Sequence, residues 1–229
     1  MTRGRRGVVM GEQADLEALY KARFPTDELA SKHALWQVLC ADFFQKFVDP
    51  EGTVVDIGAG YCEFINNIRA KRRIAVDLNP GVRDFAGSGV ELINDSCTAI
   101  RGLGDGCVDT VFMSNFLEHL PSKDLVLATL RESKRILKPN GRLVILQPNI
   151  RFLYDVYWDF FDHHTALSDR SLSEAISLTG MTTEVLIPKF LPYTTKSRIP
   201  QNPWLVRLYL KVPVVWHLLG KQALLVARK

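Results

Sequence analysis

Residues 53 to 60 read Thr-Val-Val-Asp-Ile-Gly-Ala-Gly, and the glycines in this stretch narrow the choice of fold more than any other feature of the chain. Thr53 to Val55 is a short β-branched run of the kind that forms a buried strand. Asp56 ends it, Gly58 and Gly60 follow in a turn, and helix-compatible apolar residues resume at Phe64. Strand, glycine turn and helix in that order are the first half of a nucleotide-binding βα unit. The glycines let the chain turn sharply and bring its backbone against a ligand with no Cβ in the way. A second short strand, Arg73 to Val76, ends at Asp77. That carboxylate stands about 20 residues past the turn, where such folds place an acid on ribose hydroxyls.

The spacing also separates one adenosine cofactor from another. A dinucleotide fingerprint, Gly-x-Gly-x-x-Gly, cradles a pyrophosphate on the helix start. The sixth position here is Glu63, whose carboxylate repels a pyrophosphate. A Walker loop needs Gly-Lys-Ser/Thr, which the turn lacks. An adenosine ligand without phosphate remains. Asp56-x-Gly58-x-Gly60 resembles the first motif of the class I S-adenosylmethionine-dependent methyltransferases, whose pattern is acidic-x-Gly-x-Gly-x-Gly; here Cys62 stands in place of the last glycine. The resemblance continues in order over roughly residues 50 to 150. Asn94-Asp95-Ser96 follows a third strand, Val90 to Ile93, and residues 106 to 121 look like the family's fourth-strand block. Leu130 to Gly141 resembles the helix and turn before strand five, Arg142 to Leu146.

The resemblance implies an α/β fold: a doubly wound, mostly parallel, seven-stranded, Rossmann-like sheet with N-terminal helices and an insertion before the last strand. It implies S-adenosyl-L-methionine as cofactor. The cofactor-binding set it implies is Asp56, Gly58, Gly60, Asp77, Leu78, Asp95, Ser96, Asn115 and Phe116. Asp95 would meet the adenine amino group, and Asn115 and Phe116 the methionine part. The chain resembles the small-molecule branch of the family. Its flanking segments also resemble a bacterial subgroup found among saccharide and glycolipid pathways.

Composition is consistent with a cytoplasmic enzyme of one domain. With 229 residues and 47% hydrophobic content, the chain can bury a full core. A net charge of +4 lacks the heavy bias of a dedicated nucleic-acid binder. The basic residues crowd the two ends, a pattern of solvated termini or of an anionic partner. Cys40, Cys62, Cys97 and Cys107 have no metal-ligand spacing and read as reduced thiols. Val8-Val9-Met10 is too short an apolar run for a signal peptide.

The chain divides into an N-terminal helical cap, residues 1–48, and a methyltransferase domain, residues 49–229. Residues 1–12 read as disordered, and Leu16 to Phe24 and Leu29 to Phe47 as helices. Tyr20, Arg23 and Phe24 either cap the cofactor or form a helical packing pair. Ser171-x-x-Glu174 reads as a helix-capping signature, with the helix ending at Gly180. Thr183 to Ile187 and Gln222 to Ala227 make the last strands, the latter antiparallel. Between them lies an apolar and basic insertion, 188–221, kinked at Pro213. It is too short and too charged to span a bilayer. It either packs as an ordinary helix or lies weakly on the inner membrane face, with Arg207 and Lys211 on a shared side.

For the chemistry, a hydroxyl or amine acceptor gains from a positioned base. Asp162, His163 and His164 follow strand five and are the catalytic candidates, with His163 as base and His164 or Asp162 orienting it. His119 reads as a loop-shaping residue. No metal is assigned, because no third and fourth ligand stands out. Ser114-Asn115-Phe116-Leu117 lacks the Asn/Asp-Pro-Pro-aromatic motif of exocyclic-amine methylation, which disfavours nucleic acid. The acceptor expected is a saccharide or glycolipid hydroxyl, then another small metabolite, then RNA. A cofactor-binding subunit without catalysis is the alternative of another class.

Overall fold

Apolar runs and alternating runs divide the strands into central and edge positions. The computed structural model describes residues 26–193 and 202–229, with side chains from residue 32. The expected helix at Leu16 to Phe24, with Tyr20, Arg23 and Phe24, lies outside the described residues, as do residues 1–12. Seven strands form one sheet: β1 Thr53–Ile57, β2 Arg72–Val76, β3 Val90–Ile93, β4 Val108–Ser114, β5 Leu137–Pro148, β6 Thr182–Ile187 and β7 Gln222–Arg228. Their spatial order is β3-β2-β1-β4-β5-β7-β6. The strands from β3 to β5 are parallel, and β7 runs antiparallel between β5 and β6. β1, β4 and β7 are nearly continuous apolar runs because both faces of the sheet are covered. Edge strand β6 alternates exposed and half-buried residues instead.

Neighbouring residues of each central strand serve opposite cores. Val54, Phe112, Val144, Leu224 and Val226 face one side; Val55, Val111, Met113, Ile145 and Leu225 face the other. Helix α1, Thr26–Asp42, and the short α2, Glu63–Asn67, cover the first side. Helices α3, Lys123–Ile136, and α5, Asp169–Leu178, cover the second. A single turn, α4, Ile150–Leu153, lies between α3 and α5 in the chain. The first core is aromatic: Phe64 stacks on Phe112 with ring centroids 3.6 Å apart, and Phe43 meets Phe190 at 4.3 Å.

Three local patterns resolve differently from expectation. α5 is capped by Ser168, whose hydroxyl accepts Ser171 N–H while the Ser171 side chain returns to Ser168 N; Glu174 has no part in this box. β5 begins at Leu137, ahead of Arg142, because left-handed Asn140 absorbs the Pro-Asn-Gly turn within the strand. The insertion is two helices, α6 Pro203–Lys211 and α7 Pro213–Leu219, since Pro213 suits a first helical position and cannot continue α6. α6 packs against α1, and Arg207 gives its guanidinium to Asp42 at 3.0 Å. Arg207 and Lys211 therefore do not form the free cationic pair expected of them. Among the described residues no helix is long and apolar enough to cross a membrane.

The Phe64–Phe112 stack ties α2 to β4 and so sets the turn between them. Phe112 is 1% exposed. Phe112→Ala is expected to lower the unfolding free energy by about 3–5 kcal/mol, the range for emptying a buried ring position. Urea denaturation checks it; a loss below about 1 kcal/mol would mean that the stack is not a core contact.

Candidate active site

Three residues in the turn after β1 take left-handed backbone: Gly58 at φ 71°, Gly60 at φ 49° and Cys62 at φ 57°. Glycine enters that region without steric cost, whereas a residue with a Cβ loses about 1–2 kcal/mol there. Cys62 thus holds the shape that the missing third glycine would hold, with its thiol fully buried. At Gly58 a Cβ would also strike the ring of Phe116, 2.2 Å from Cδ2. Asp77 clamps the turn from β2: Oδ2 accepts Gly60 N–H at 2.9 Å, and Oδ1 accepts Asn79 N–H at 2.8 Å. Burial pushes the Asp77 carboxyl up, and these backbone N–H groups oppose the shift. Asp56 lies beneath the turn, 4% exposed. Burial, then the neighbouring Asp77 charge, raises it well above the carboxylate range.

Gly58, Gly60, Asp77 and Phe116 therefore meet at the carboxyl ends of β1, β2 and β4. The strand order reverses there, between β1 and β4, which is where open α/β sheets bind ligands. Asn115, left-handed at φ 47°, is exposed at the end of β4, and Leu78 offers 54% of its surface beside Asp77. Asp95 is more engaged than expected. Its oxygens accept Ser96 N–H at 2.8 Å and the Arg101 side chain at 3.0 and 3.2 Å. That hydrogen bond holds its pKa at about 2. Ser96 turns its hydroxyl to Thr98 at 2.9 Å. From α1, His33 reaches Glu63 at 3.2 Å and Lys32 lies over the Tyr61 ring, so this helix borders the turn.

A second group of polar side chains joins the loops after β4 and β5. The Glu118 carbonyl accepts N–H from His164 at 2.8 Å and Thr165 at 3.0 Å. Asp162 and His163 are drawn inside, 7% and 6% exposed, while His164 stays exposed. The three catalytic candidates differ in exposure, and Asp162 pairs with His119, its Oδ2 3.2 Å from Nδ1. His163 packs its ring against Phe160 and Tyr157, each at 4.8 Å. His119 Nε2 lies 3.9 Å from Glu118 Oε1. Burial disfavours a charge on His119, but the Asp162 hydrogen bond and the charges of Glu118 and Asp162 outweigh it and raise its pKa to about 9. The cluster Glu118, His119 and His163 was missed in the sequence, because His119 and Asp162 stand 43 residues apart and nothing local links them. An open hollow of about 200 Å³ at Asp109, Lys138 and Arg142 lies at the opposite edge of the sheet, where Lys138 neutralises Asp109 at 2.8 Å.

Residues 55–145 match the family model of a methyltransferase domain. No curated protein matches the chain. Among solved structures, an Archaeoglobus fulgidus S-adenosylmethionine-dependent methyltransferase is 19% identical, with 81% of this chain and 90% of that chain covered and a TM-score of 0.60. A Thermotoga maritima S-adenosylmethionine-dependent methyltransferase, described as a possible histamine N-methyltransferase, is 17% identical over 95% and 97% of the two chains, with a TM-score of 0.66. A Haloferax volcanii protein, determined in complex with the Trm112 methyltransferase activator, is 17% identical over 96% and 93%, with a TM-score of 0.60.

Asp77→Ala is expected to weaken S-adenosylhomocysteine binding by about 1.5–3 kcal/mol, the scale of charge-assisted hydrogen bonds. Gly58→Ala should weaken it comparably, through both the left-handed backbone and the Phe116 ring. Calorimetry on variants with unchanged melting curves is the measurement; normal binding in both would move the site elsewhere. The strand order that reverses at the glycine turn and the family match over residues 55–145 give the chain a methyltransferase domain with the class I fold, whose cofactor is S-adenosylmethionine.

Proposed function

We propose that the chain methylates a hydroxyl of a small molecule, a saccharide or a lipid-linked glycan. The observation that carries this reading is the carboxylate–imidazole group of Glu118, His119 and Asp162, next to Phe116, which the family resemblance assigns to the methionine part of the cofactor. Methyl transfer is an in-line displacement: the acceptor oxygen bonds to the methyl carbon, the sulfonium sulfur keeps the bonding pair, and the hydroxyl proton departs. The enzyme's main task is to hold oxygen and carbon in line. The polar cluster supplies acceptors for the hydroxyl and a destination for its proton. Tyr154, Trp158 and Phe161, exposed at 76%, 58% and 90%, stand on the same post-β5 segment and offer flat apolar faces for a sugar ring.

Incubation with methyl-labelled S-adenosylmethionine and fractionated host extract tests the acceptor. Label should enter a saccharide-bearing small-molecule or lipid fraction. Label in RNA would replace this reading, and cofactor binding without any labelled product would favour a non-catalytic subunit. On the labelled acceptor, Asp162→Asn should lower kcat by about 10²- to 10⁴-fold, the worth of a positioned proton-transfer group, with cofactor affinity kept. Unchanged kcat would remove Asp162 from the proposal.

A weak peripheral contact with an anionic membrane suits a lipid-linked acceptor. Leu210 and Trp216 are buried on one side of α6 and α7, while Trp204, Leu208, Val214 and Leu218 remain 46% to 78% exposed. Lys211 at the end of α6 adds about 1 kcal/mol of attraction to an anionic surface. Flotation should show binding that needs anionic lipid, falls with salt and weakens in Leu218→Glu. A protein that stays in the soluble fraction at low salt would end this part of the reading.

A further inference from the structure

We infer that Glu118, His119 and His163 form a binding site for a divalent transition-metal cation of the zinc type, open on one side toward the methyl acceptor. One ligand atom from each of the three, a carboxylate oxygen and two ring nitrogens, lies within 4.8 Å of the others. Glu118 is 1% exposed, and its Oε1 has no hydrogen-bond partner among the described residues, while Oε2 accepts Gln147 at 3.0 Å. A buried carboxylate oxygen without a hydrogen bond is costly, and His119 Nε2, 3.9 Å away, is too far to donate one.

His119 is held as metal-bound imidazoles are held. Its Nδ1 is fixed by the Asp162 carboxylate at 3.2 Å and the Asp162 carbonyl at 3.0 Å. A carboxylate on the far ring nitrogen sets the tautomer and makes the near nitrogen a better ligand. The near nitrogen, Nε2, lies 3.9 Å from Glu118 Oε1. Ligand atoms on one tetrahedral zinc sit about 3.4 Å apart, given metal–ligand lengths of about 2.0–2.1 Å. Closing the set thus asks for movements of about 1 Å, mostly of the His163 ring, against that spacing. Two imidazoles with one carboxylate and no thiolate suit zinc and its neighbours better than magnesium or calcium. Three protein ligands leave the fourth position for a substrate oxygen. His119, with a quarter of its side chain exposed, gives the way in.

The role of the ion rests on the methyl-transfer reading above; its binding does not. Glu118, His119 and His163 would hold the ion, which would make an acceptor hydroxyl on the fourth position more acidic, its proton going to solvent. The oxygen would then take the methyl carbon, with the sulfur leaving as a neutral thioether. No oxidation state changes.

The test uses the full chain after treatment with chelator. Calorimetry with zinc chloride should show one ion per chain, and cobalt chloride should give visible bands without strong sulfur-to-metal charge transfer. Glu118→Gln and His163→Gln should each weaken zinc by about 100-fold, since even outer-shell changes cost about 10- to 100-fold. His164→Ala, exposed and outside the set, should bind zinc as the parent does. S-adenosylhomocysteine binding is read on every variant as the check of folding; if Glu118→Gln fails it, His163→Gln decides. A parent chain that binds the nucleoside normally and takes no zinc overturns the metal site and leaves methyl transfer standing. Equal loss in His164→Ala, or a thiolate spectrum, overturns it too.

Discussion

The turn after β1 exists only because three nearby residues accept left-handed backbone, and the carboxyl edge of the sheet is arranged around that constraint. Gly58 gives up its side chain twice over, once to its φ and once to the Phe116 ring. Asp77 holds Gly60 from the neighbouring strand, so β2 cannot shift its register without opening the turn. Cys62 carries the third left-handed position into α2, where Phe64 stacks on Phe112 of β4. The turn is thereby fastened to both neighbours of β1. Local strain is kept because packing on either side over-determines it.

Glu118 plays the matching part between the loops after β4 and β5. Its backbone carbonyl takes two N–H groups from the loop after β5, and its side chain takes Gln147 from β5 itself. Thr165 adds a hydroxyl bond to the Leu120 carbonyl, and the Tyr157 hydroxyl closes onto the Thr165 carbonyl. These bonds bring Asp162 to His119. A carboxylate this deeply buried is expensive to ionise, which is why burial leads the causes that raise the Glu118 pKa. A fold keeps such a group only where partners or a ligand offset that cost.

What the sequence showed divides along the same line. Strand cores announce themselves through β-branched runs, and the glycine turn through short-range chemistry, so β1 to β4 were legible with nearly the right ends. The bonds that Asp77 makes to Gly60 and Asn79 were not, because the sequence assigned that carboxylate to a ribose, nor was the cluster around Glu118. His119 and Asp162 are 43 residues apart, and Arg207 and Asp42 are 165 apart; neither pair has a local pattern. Asp162-His163-His164 looked like one group because its members are adjacent, but a loop buries some neighbours and exposes others. Ser171 with Glu174 and Ser168 with Ser171 both fit a capping pattern, and only the position of the first helical turn separates them.

This asymmetry has a functional consequence. The glycine turn is held by one carboxylate, Asp77, and one ring, Phe116. The polar cluster around Glu118 is assembled from the ends of β4 and β5 and the segment from Asn149 to Leu167, joined by hydrogen bonds to backbone. Bonds to backbone survive many side-chain replacements. Tyr154, Trp158 and Phe161 can therefore vary without loosening Asp162 or Glu118, because none of the three is buried. A single scaffold of this kind can keep its methyl donor fixed while its acceptor changes through exposed loop residues. Glu118 and Asp162 are buried within that frame, and the three aromatic side chains stand outside it.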